Sequence, residues 1–394
     1  MASHINLNIF KQFFKSGSAS GIIIFGCVIL SIIGANSSLA GAFQSFLGTE
    51  IGYSSDRLHL RYPIQLWIND GLMAIFFLMV GLEIKREMVE GELSSPKKSL
   101  LPILCALGGA SVPALIYTVL NRDQPTAEGW GIPMATDIAF ALAIVATLNK
   151  RVPPSLKIFL AALAIVDDLM AIFVIAIFYA GELHSIYLLY SGVILLLLFL
   201  LNRFKVTSLA FYLLPGAVLW YFVHHSGIHA TIAGVLTALF IPTNTTSDES
   251  PLEKLEHFLT TPVNFLIVPI FAFANTNITF QNEMIGGLGS TLGMGIILGL
   301  VLGKPTGIML MSWISVKTGL CQLPENANWK HVLGVGFIAG IGFTMSIFMA
   351  VLSFSDALLI SEAKFSVLCA SVIAALTGYL ILRGPKRLTS KYNR

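Results

Sequence analysis

The chain has 394 residues, of which 55% are hydrophobic and 11% charged, and its mean hydropathy is +0.80. Soluble domains carry about 25% charged residues, so this composition excludes an ordinary soluble domain and indicates an integral membrane protein. The net charge of +3 is modest and no basic cluster is interleaved with aromatic residues, so we expect no nucleic-acid partner. The four cysteines form neither a zinc-binding spacing nor a disulfide framework, and we expect no cofactor.

Twelve apolar stretches are predicted to cross the membrane, whose hydrocarbon core is about 30 Å thick and requires about 20 helical residues. The connections are mostly short, so we predict one all-α transmembrane domain over residues 1–394. The predicted limits are 17–36, 64–83, 99–120, 129–148, 155–179, 185–201, 207–223, 228–241, 258–275, 291–316, 331–352 and 362–382.

The first segment follows Lys11 and Lys15, and Ser38-Leu39-Ala40 after it resembles a signal-peptide cleavage site. Its apolar stretch is long for a signal peptide, so we favour a retained helix. In the next loop, residues 58–62 (Leu-His-Leu-Arg-Tyr) alternate like a short strand, which predicts a small external hairpin.

The orientation follows from the lysines and arginines. With the N-terminus inside, most of the 24 fall on cytoplasmic loops, whereas Arg57, Arg61, Arg122 and Lys364 fall on outer loops. Because cytoplasmic loops carry an excess of Lys and Arg, both termini are predicted to be cytoplasmic.

The fourth and eleventh segments are predicted to be interrupted. The fourth opens with Gly129-Trp130-Gly131-Ile132-Pro133, and the eleventh reads Gly-Val-Gly-Phe-Ile-Ala-Gly-Ile-Gly-Phe-Thr over residues 334–344. Glycine weakens a helix interior and proline removes a backbone donor. The two segments cross the membrane in opposite directions, so residues 99–179 and 291–382 are predicted to be inverted repeats. Paired interrupted helices mark the binding site in several transporter families.

Asp167 and Asp168 are the only charged residues between Ile158 and Tyr179. A charge at the bilayer centre costs about 3 kcal/mol, and adjacent like charges repel, which favours protonation of one of them. We interpret the pair as a site that exchanges protons for a cation. The alternative is a structural ion pair with Lys304, and both hold if the two carboxylates, which point about 100° apart on a helix, have different partners.

Asp137 and Lys304 admit a second interpretation. Interrupted helices bring half-helix ends with about +0.5 and −0.5 charge together in the membrane. Asp137 then offsets positive ends, while Lys304 offsets negative ends, pairs with an aspartate or carries a proton itself. Thr136 adds a hydroxyl, and hard monovalent cations take such oxygen ligands.

Charged and polar residues also lie near the ends of segments. Asp70, near the outer end of segment two, is either functional or solvated at the interface. Glu83 and Glu87, one helical turn apart, ordinarily form a solvated face. His229, at the outer start of segment eight, is ordinarily a helix-end contact.

Several blocks occur in an order typical of one family. They are Trp67–Asp70, Phe77–Glu83, Ala135–Leu142, Ala162–Asp168, His229–Thr231, Leu255–His257, Phe271–Asn275, Gly303–Pro305 and Gly340–Phe348. With these blocks the sequence, over about residues 10–385, resembles the NhaA family of bacterial sodium/proton antiporters. This family is one of the transporter families in which paired interrupted helices are known to mark the binding site.

The resemblance implies crossing helices four and eleven, an inner-membrane location, and a homodimer formed through the outer loop at about residues 41–62. It implies alkaline-activated, electrogenic exchange of cytoplasmic Na⁺ or Li⁺ for more than one H⁺ per cycle, with these ions and the lipid bilayer as the other partners. The implied cation and proton ligands are Asp167, Asp168 and Thr136, with Lys304 paired to Asp167 and Asp137 balancing helix ends.

The resemblance also implies a pH-sensing group, which comprises Glu83, Glu87, Lys254, Glu256 and His229. Glu253 stands where we expect a basic residue, three positions before Glu256, which leaves the pH set-point open.

Other functions fit the sequence less well. An intramembrane aspartyl protease, the enzyme alternative, would use Asp137 and Asp168 but lacks the Gly-x-Gly-Asp setting, so we predict no enzyme. A cation channel lacks a repeated selectivity ring. A proton-coupled carrier of another cation or small solute is the main competitor, although convergent arginines or amides for an organic ligand are absent.

Overall fold

The computed structural model describes residues 17–55, 58–148, 151–243, 250–280 and 286–384. The tails at 1–16 and 385–394, on which the prediction of cytoplasmic termini partly depends, lie outside the described residues. The helices of the described part are α1 Gly17–Ala35, α2 Ala40–Gly48, α3 Ile64–Val89, α4 Pro96–Leu120, α5 Ile138–Thr147, α6 Pro154–Phe178, α7 Ser185–Arg203, α8 Ala210–His225, α9 Ile232–Phe240, α10 Pro251–Asn275, α11 Thr291–Lys317, α12 Trp329–Ala339, α13 Phe343–Ser353 and α14 Ala357–Arg383. Short 3₁₀ segments cover Glu92–Ser94 and Ala127–Met134.

The predicted all-α membrane class is confirmed. Within the described residues, eight helical stretches are long and apolar enough to cross a membrane, or up to ten if the bent pairs α1–α2 and α12–α13 each count as one. Every predicted segment contains helix, but α8 has 16 residues and α9 only nine. Helix length alone therefore supports eight to ten spans.

The outer faces of the helices are apolar. On α7, for example, Leu189, Val193 and Leu196 are each more than half exposed although they are large hydrophobic side chains. A soluble protein does not expose apolar surface of this extent. Contact with lipid hydrocarbon accounts for it.

The predicted hairpin in the first loop is present. Strand β1 (Glu50–Ile51) pairs antiparallel with β4 (Tyr62–Pro63), and β2 (Ser54–Ser55) pairs with β3 (Leu58–His59). The strands are too short to be stable by themselves, so the hairpin depends on contacts with the helices behind it.

Several helices begin earlier than predicted, and the difference is largest in segments nine and twelve. Segment nine begins at Pro251 instead of 258, because Ser250 and Glu253 form a capping box in which each side chain accepts the other residue's amide. Segment twelve begins at Ala357 instead of 362, because the Asp356 carboxylate caps its first turn. Lys364 therefore lies inside α14, 5% exposed, and its predicted place on an outer loop was wrong.

Candidate ion-binding site

Two interrupted helices contact each other at their breaks. In the first, the 3₁₀ segment Ala127–Met134, which contains Pro133, gives way to extended backbone at Ala135 before α5 begins. In the second, α12 and α13 are separated by Gly340-Ile341-Gly342 and bent by 45°. The Asp137 amide donates to the Ile341 carbonyl at 2.7 Å. A backbone N–H group at one interruption thus finds its hydrogen-bond acceptor at the other interruption.

Asp137 caps helices from both segments. Its Oδ1 accepts the Phe140 amide of α5 at 3.0 Å, and its Oδ2 accepts the Thr344 amide of α13 at 3.1 Å as well as the Thr344 hydroxyl. The carboxylate is 2% exposed. Its charge therefore lies at the positive ends of two helix dipoles, where an anion is stabilised.

Thr136 connects this junction to α6. Its hydroxyl lies 2.5 Å from Asp167 Oδ2 and 2.8 Å from the Ala339 carbonyl, the last residue of α12. A hydroxyl carries one proton, so it donates to one of these oxygens at a time. Thr136 therefore contacts both the aspartate pair and the second break.

Lys304 approaches the same aspartate from α11. Pro305 removes the amide that an α-helix would direct to the Val301 carbonyl, and the turn Gly299–Gly303 widens into a π-helix. The Lys304 side chain is fully buried, and its ammonium pairs with Asp167 Oδ2 and donates to the Met134 carbonyl at the end of the 3₁₀ segment. A buried ion pair is costly to desolvate, and this second acceptor offsets part of that cost.

Asp168 differs from Asp167 in its surroundings. Both residues are 2% exposed, and in the described part of the chain Oδ1 of each has no hydrogen-bond partner. Whereas Asp167 has Lys304 and Thr136 on its other oxygen, no hydrogen bond or ion pair to the Asp168 side chain is found among the described residues. The two free oxygens are ligands of the kind that alkali cations take.

A second charged cluster joins α3 to α10. Arg86 Nε lies 3.1 and 2.9 Å from the two oxygens of Glu256, and its guanidinium lies 2.9 Å from Glu87. Such two-oxygen contacts are among the stronger ion pairs. Glu83 lies half-buried one turn before Glu87, and Lys254 is exposed on α10. Four predicted pH-sensing residues thus lie on these two helices.

Asp70 and His229 lie apart from this cluster. Asp70 is 7% exposed and its Oδ2 lies 3.2 Å from His224 Nδ1, so interfacial solvation was the wrong alternative. The His229 ring lies 6.2 Å from that of Phe348 in α13, and within the described residues its Nδ1 has no hydrogen-bond partner.

Three contact residues escaped the sequence analysis, namely Thr344, Arg86 and His224. Thr344 had a signal, because a threonine after two glycines at a helix start is a capping candidate. Arg86 and His224 had no such signal, because a single sequence does not show whether an arginine or a histidine near a helix end is exposed or contacts another helix. Glu253, the residue that departs from the expected pattern, is the third residue of the α10 capping box.

Comparison with known proteins identifies the family. Residues 11–382 match the family described as Na⁺/H⁺ antiporter 1. The chain is 60% identical to Na(+)/H(+) antiporter NhaA 2 of Flavobacterium johnsoniae, over 100% of this chain and 95% of that protein. It is 47% identical to proteins named Na(+)/H(+) antiporter NhaA from Flavobacterium psychrophilum and Bordetella parapertussis, over 95% of this chain and 96% of each relative. The chain therefore belongs to this antiporter family and is a multi-pass membrane Na⁺/H⁺ antiporter.

Proposed function

We propose that this antiporter exports cytoplasmic Na⁺ and Li⁺ in electrogenic exchange for more than one H⁺ per cycle, and that Asp167 and Asp168 bind the competing ions. The observation that carries the proposal is two adjacent buried carboxylates, each with an oxygen that lacks a hydrogen-bond partner among the described residues. A buried anion without partners is strongly destabilised. Asp168, whose side chain has no hydrogen bond or ion pair among the described residues, therefore requires a proton or a cation.

Competition at Asp168 produces the exchange. The ionised carboxylate attracts Na⁺, with Asp167 and the Thr136 hydroxyl as further oxygen ligands. A proton on Asp168 removes the charge that holds the cation. Because the proton-loaded and Na⁺-loaded forms exclude each other, movement of the site from one side of the membrane to the other exchanges the two ions.

The Asp167–Lys304 pair supplies a second proton in this scheme. The pair is neutral as a unit when Lys304 is charged. If Na⁺ binding displaces one proton from Asp168 and one from the Asp167–Lys304 pair, two protons are exchanged for one Na⁺. One net charge then crosses the membrane per cycle, so the exchange depends on membrane potential.

Asp137 and Lys304 also compensate helix ends in this proposal. The Asp137 carboxylate lies at the N-termini of α5 and α13, and the Lys304 ammonium lies at the carbonyl end of the 3₁₀ segment. Charges at these ends stabilise the interruption in either state of the aspartate pair.

Alternating access in the proposed mechanism moves two inverted repeats, residues 99–179 and 291–382, within a fold of twelve spans. The helix in each predicted segment and the contact between the two breaks support this arrangement. Transporters of this type bind their ions where interrupted helices of the two repeats meet.

Regulation in the proposed scheme comes from Glu83, Glu87, Lys254 and Glu256 with His229. The link that Arg86 makes between α3 and α10 supports it, because protonation of either bound glutamate weakens that link. We further propose an inner-membrane homodimer with cytoplasmic termini, in which the hairpin within residues 41–62 forms the dimer contact.

Asp168→Asn in proteoliposomes tests the site. We expect Na⁺- and Li⁺-induced proton movement, followed with a pH-sensitive dye, to fall to the protein-free background, because the amide cannot gain or lose the proton. Asp123→Asn is the matched control, since Asp123 is 91% exposed. Full exchange by Asp168→Asn would refute the assignment. A rate unaffected by an imposed membrane potential would refute electrogenic exchange.

A further inference from the structure

Tyrosines and histidines hold the β-hairpin against α8, away from the aspartate pair. We name His59, Tyr62, Tyr221, His224 and His225 the hairpin clasp. The first two belong to the hairpin and the other three to the last turns of α8. The His59 amide lies 3.4 Å from the Tyr221 hydroxyl, so hairpin and helix contact each other directly.

The centre of the clasp is the Tyr62 hydroxyl. It lies 2.7 Å from the His59 carbonyl and 3.3 Å from His225 Nε2. On the other side of that ring, His225 Nδ1 lies 2.9 Å from the Tyr221 carbonyl. Two carbonyls, one hydroxyl and one imidazole thus form a chain of three contacts.

The number of protons available determines which protonation state of His225 makes all three contacts. Both carbonyls only accept, and Tyr62 has one proton to give. If Tyr62 donates to the His59 carbonyl, His225 must donate from Nε2 to Tyr62 and from Nδ1 to the Tyr221 carbonyl. Burial and the neighbouring Tyr221 raise the pKa of Tyr62, so its hydroxyl keeps its proton. Only the doubly protonated imidazolium satisfies all three contacts, and a neutral ring leaves one unmade.

His224 adds a second contact that depends on protonation. Its Nδ1 lies 3.2 Å from Asp70 Oδ2 on α3, and its ring packs 4.9 Å from that of Tyr62. The His224 ring also stacks on Trp220, and Trp220 stacks on Trp67. The Trp67 Nε1 donates to the Ile51 carbonyl of β1. A protonated His224 forms an ion pair with Asp70 and strengthens the same attachment.

Burial and the neighbouring His224 and His59 lower the pKa of His225, whereas its contact with the Tyr221 carbonyl acts in the opposite direction. Other titratable groups lie near the clasp. They are Tyr187 on α7, Glu182 and His184 before it, His229 after α8, and Glu50 paired with Arg61 on the hairpin. The imidazoles of His224 and His225 are 5.2 Å apart, so each disfavours full charge on the other. Asp70 offsets part of that repulsion.

We infer that the hairpin clasp is a pH-sensitive latch. Protonated His225 and His224 hold the hairpin closely to α3 and α8, and the attachment loosens as the imidazoles lose their protons. The latch acts on the first loop and requires no step of ion exchange at Asp168.

Hydrogen–deuterium exchange of peptides covering residues 50–63 in the full-length protein tests the latch. Each rate is divided by that of an unstructured peptide at the same pH. The two values are about pH 5 and about pH 8.5, the lower one lying well below ordinary imidazole titration because the pKa of His225 is lowered. We expect protection to be about five-fold greater at the lower pH, the effect of one net hydrogen bond. Tyr62→Phe and His225→Phe keep the rings but should each clearly reduce this pH difference, and the part that remains belongs to the His224–Asp70 pair.

His184→Gln is the matched control, because its imidazole contacts the Glu182 carbonyl and lies outside the clasp. It should keep the wild-type pH difference. Equal protection of the wild type at both pH values, or a pH difference in Tyr62→Phe that is as large as in the wild type, would overturn the inference. If His225→Phe does not fold, Tyr62→Phe decides the question by itself, because it retains the ring contact with His224.

Discussion

Asp137 illustrates what a single buried charge does in this protein. Its carboxylate accepts hydrogen bonds from α5 and from α13, so one side chain caps two helices that are about 200 residues apart in the sequence. The sequence identifies Asp137, because a charge in an apolar segment is anomalous. It does not identify Thr344, because nothing in one sequence says which distant helix start faces the carboxylate.

We predict that Asp137→Asn lowers the free energy of unfolding by about 1–3 kcal/mol, because the amide nitrogen that replaces one oxygen cannot accept. Thermal unfolding in detergent measures the loss. Asp123→Asn provides the control, as an exposed aspartate with the same substitution. Equal unfolding temperatures for Asp137→Asn and wild type would contradict the double-cap interpretation.

At the scale of elements, the break between α12 and α13 combines local and distant causes. Glycines weaken the helix locally, which is why the interruption is predictable from the sequence. One of these glycines is also required by a contact with another helix. A Cβ on Gly340 would collide with the Leu300 carbonyl oxygen of α11, so the close contact between the two helices requires glycine there.

Gly340→Ala should reduce both exchange and stability, the latter by about 1–3 kcal/mol, because the backbone must move to admit the methyl group. Gly192→Ala on α7 is the paired comparison, since a Cβ there meets open space. In a helix that substitution is neutral or stabilising by up to about 1 kcal/mol. Indistinguishable exchange and melting of Gly340→Ala and wild type would show that the contact is dispensable.

The pairing of α3 with α10 gives a prediction about regulation. Glu256→Gln removes the charge that Arg86 contacts through both oxygens while it preserves the shape of the side chain. We expect the pH at half-maximal exchange to shift, whereas the maximal rate persists because Asp167 and Asp168 are unchanged. Proton flux in proteoliposomes over a range of pH measures both quantities.

Glu253→Gln is the matched variant for that experiment. It lies on the same helix, and glutamine still completes a capping box. Its pH profile should stay close to that of wild type. A profile shifted as far as that of Glu256→Gln would assign the effect to the helix start instead of the Arg86 contact.

For the whole molecule, the distribution of lysine and arginine predicts a definite orientation. In a chain whose four cysteines are replaced, the Arg122→Cys variant in the predicted outer loop after α4 should react with a membrane-impermeant maleimide from outside intact cells. The Lys330→Cys variant at the start of α12 should react only after the membrane is opened. Both positions are exposed, so accessibility within the protein does not confound the comparison. Labelling of both from outside would contradict the predicted orientation.

Hydropathy and charge in the sequence determined the membrane class, the two interrupted helices and the aspartate pair, because lipid tolerates so few charges and helix breakers that each stands out. Only the tertiary structure decided how those residues are paired. It joined Lys304 to Asp167 and left Asp168 without such a partner, and it set His224 against Asp70. It also placed two helix starts earlier than hydropathy did, because polar capping residues extend a helix beyond its apolar part. Such pairings depend on which distant helices pack together, and a local sequence pattern carries no record of that.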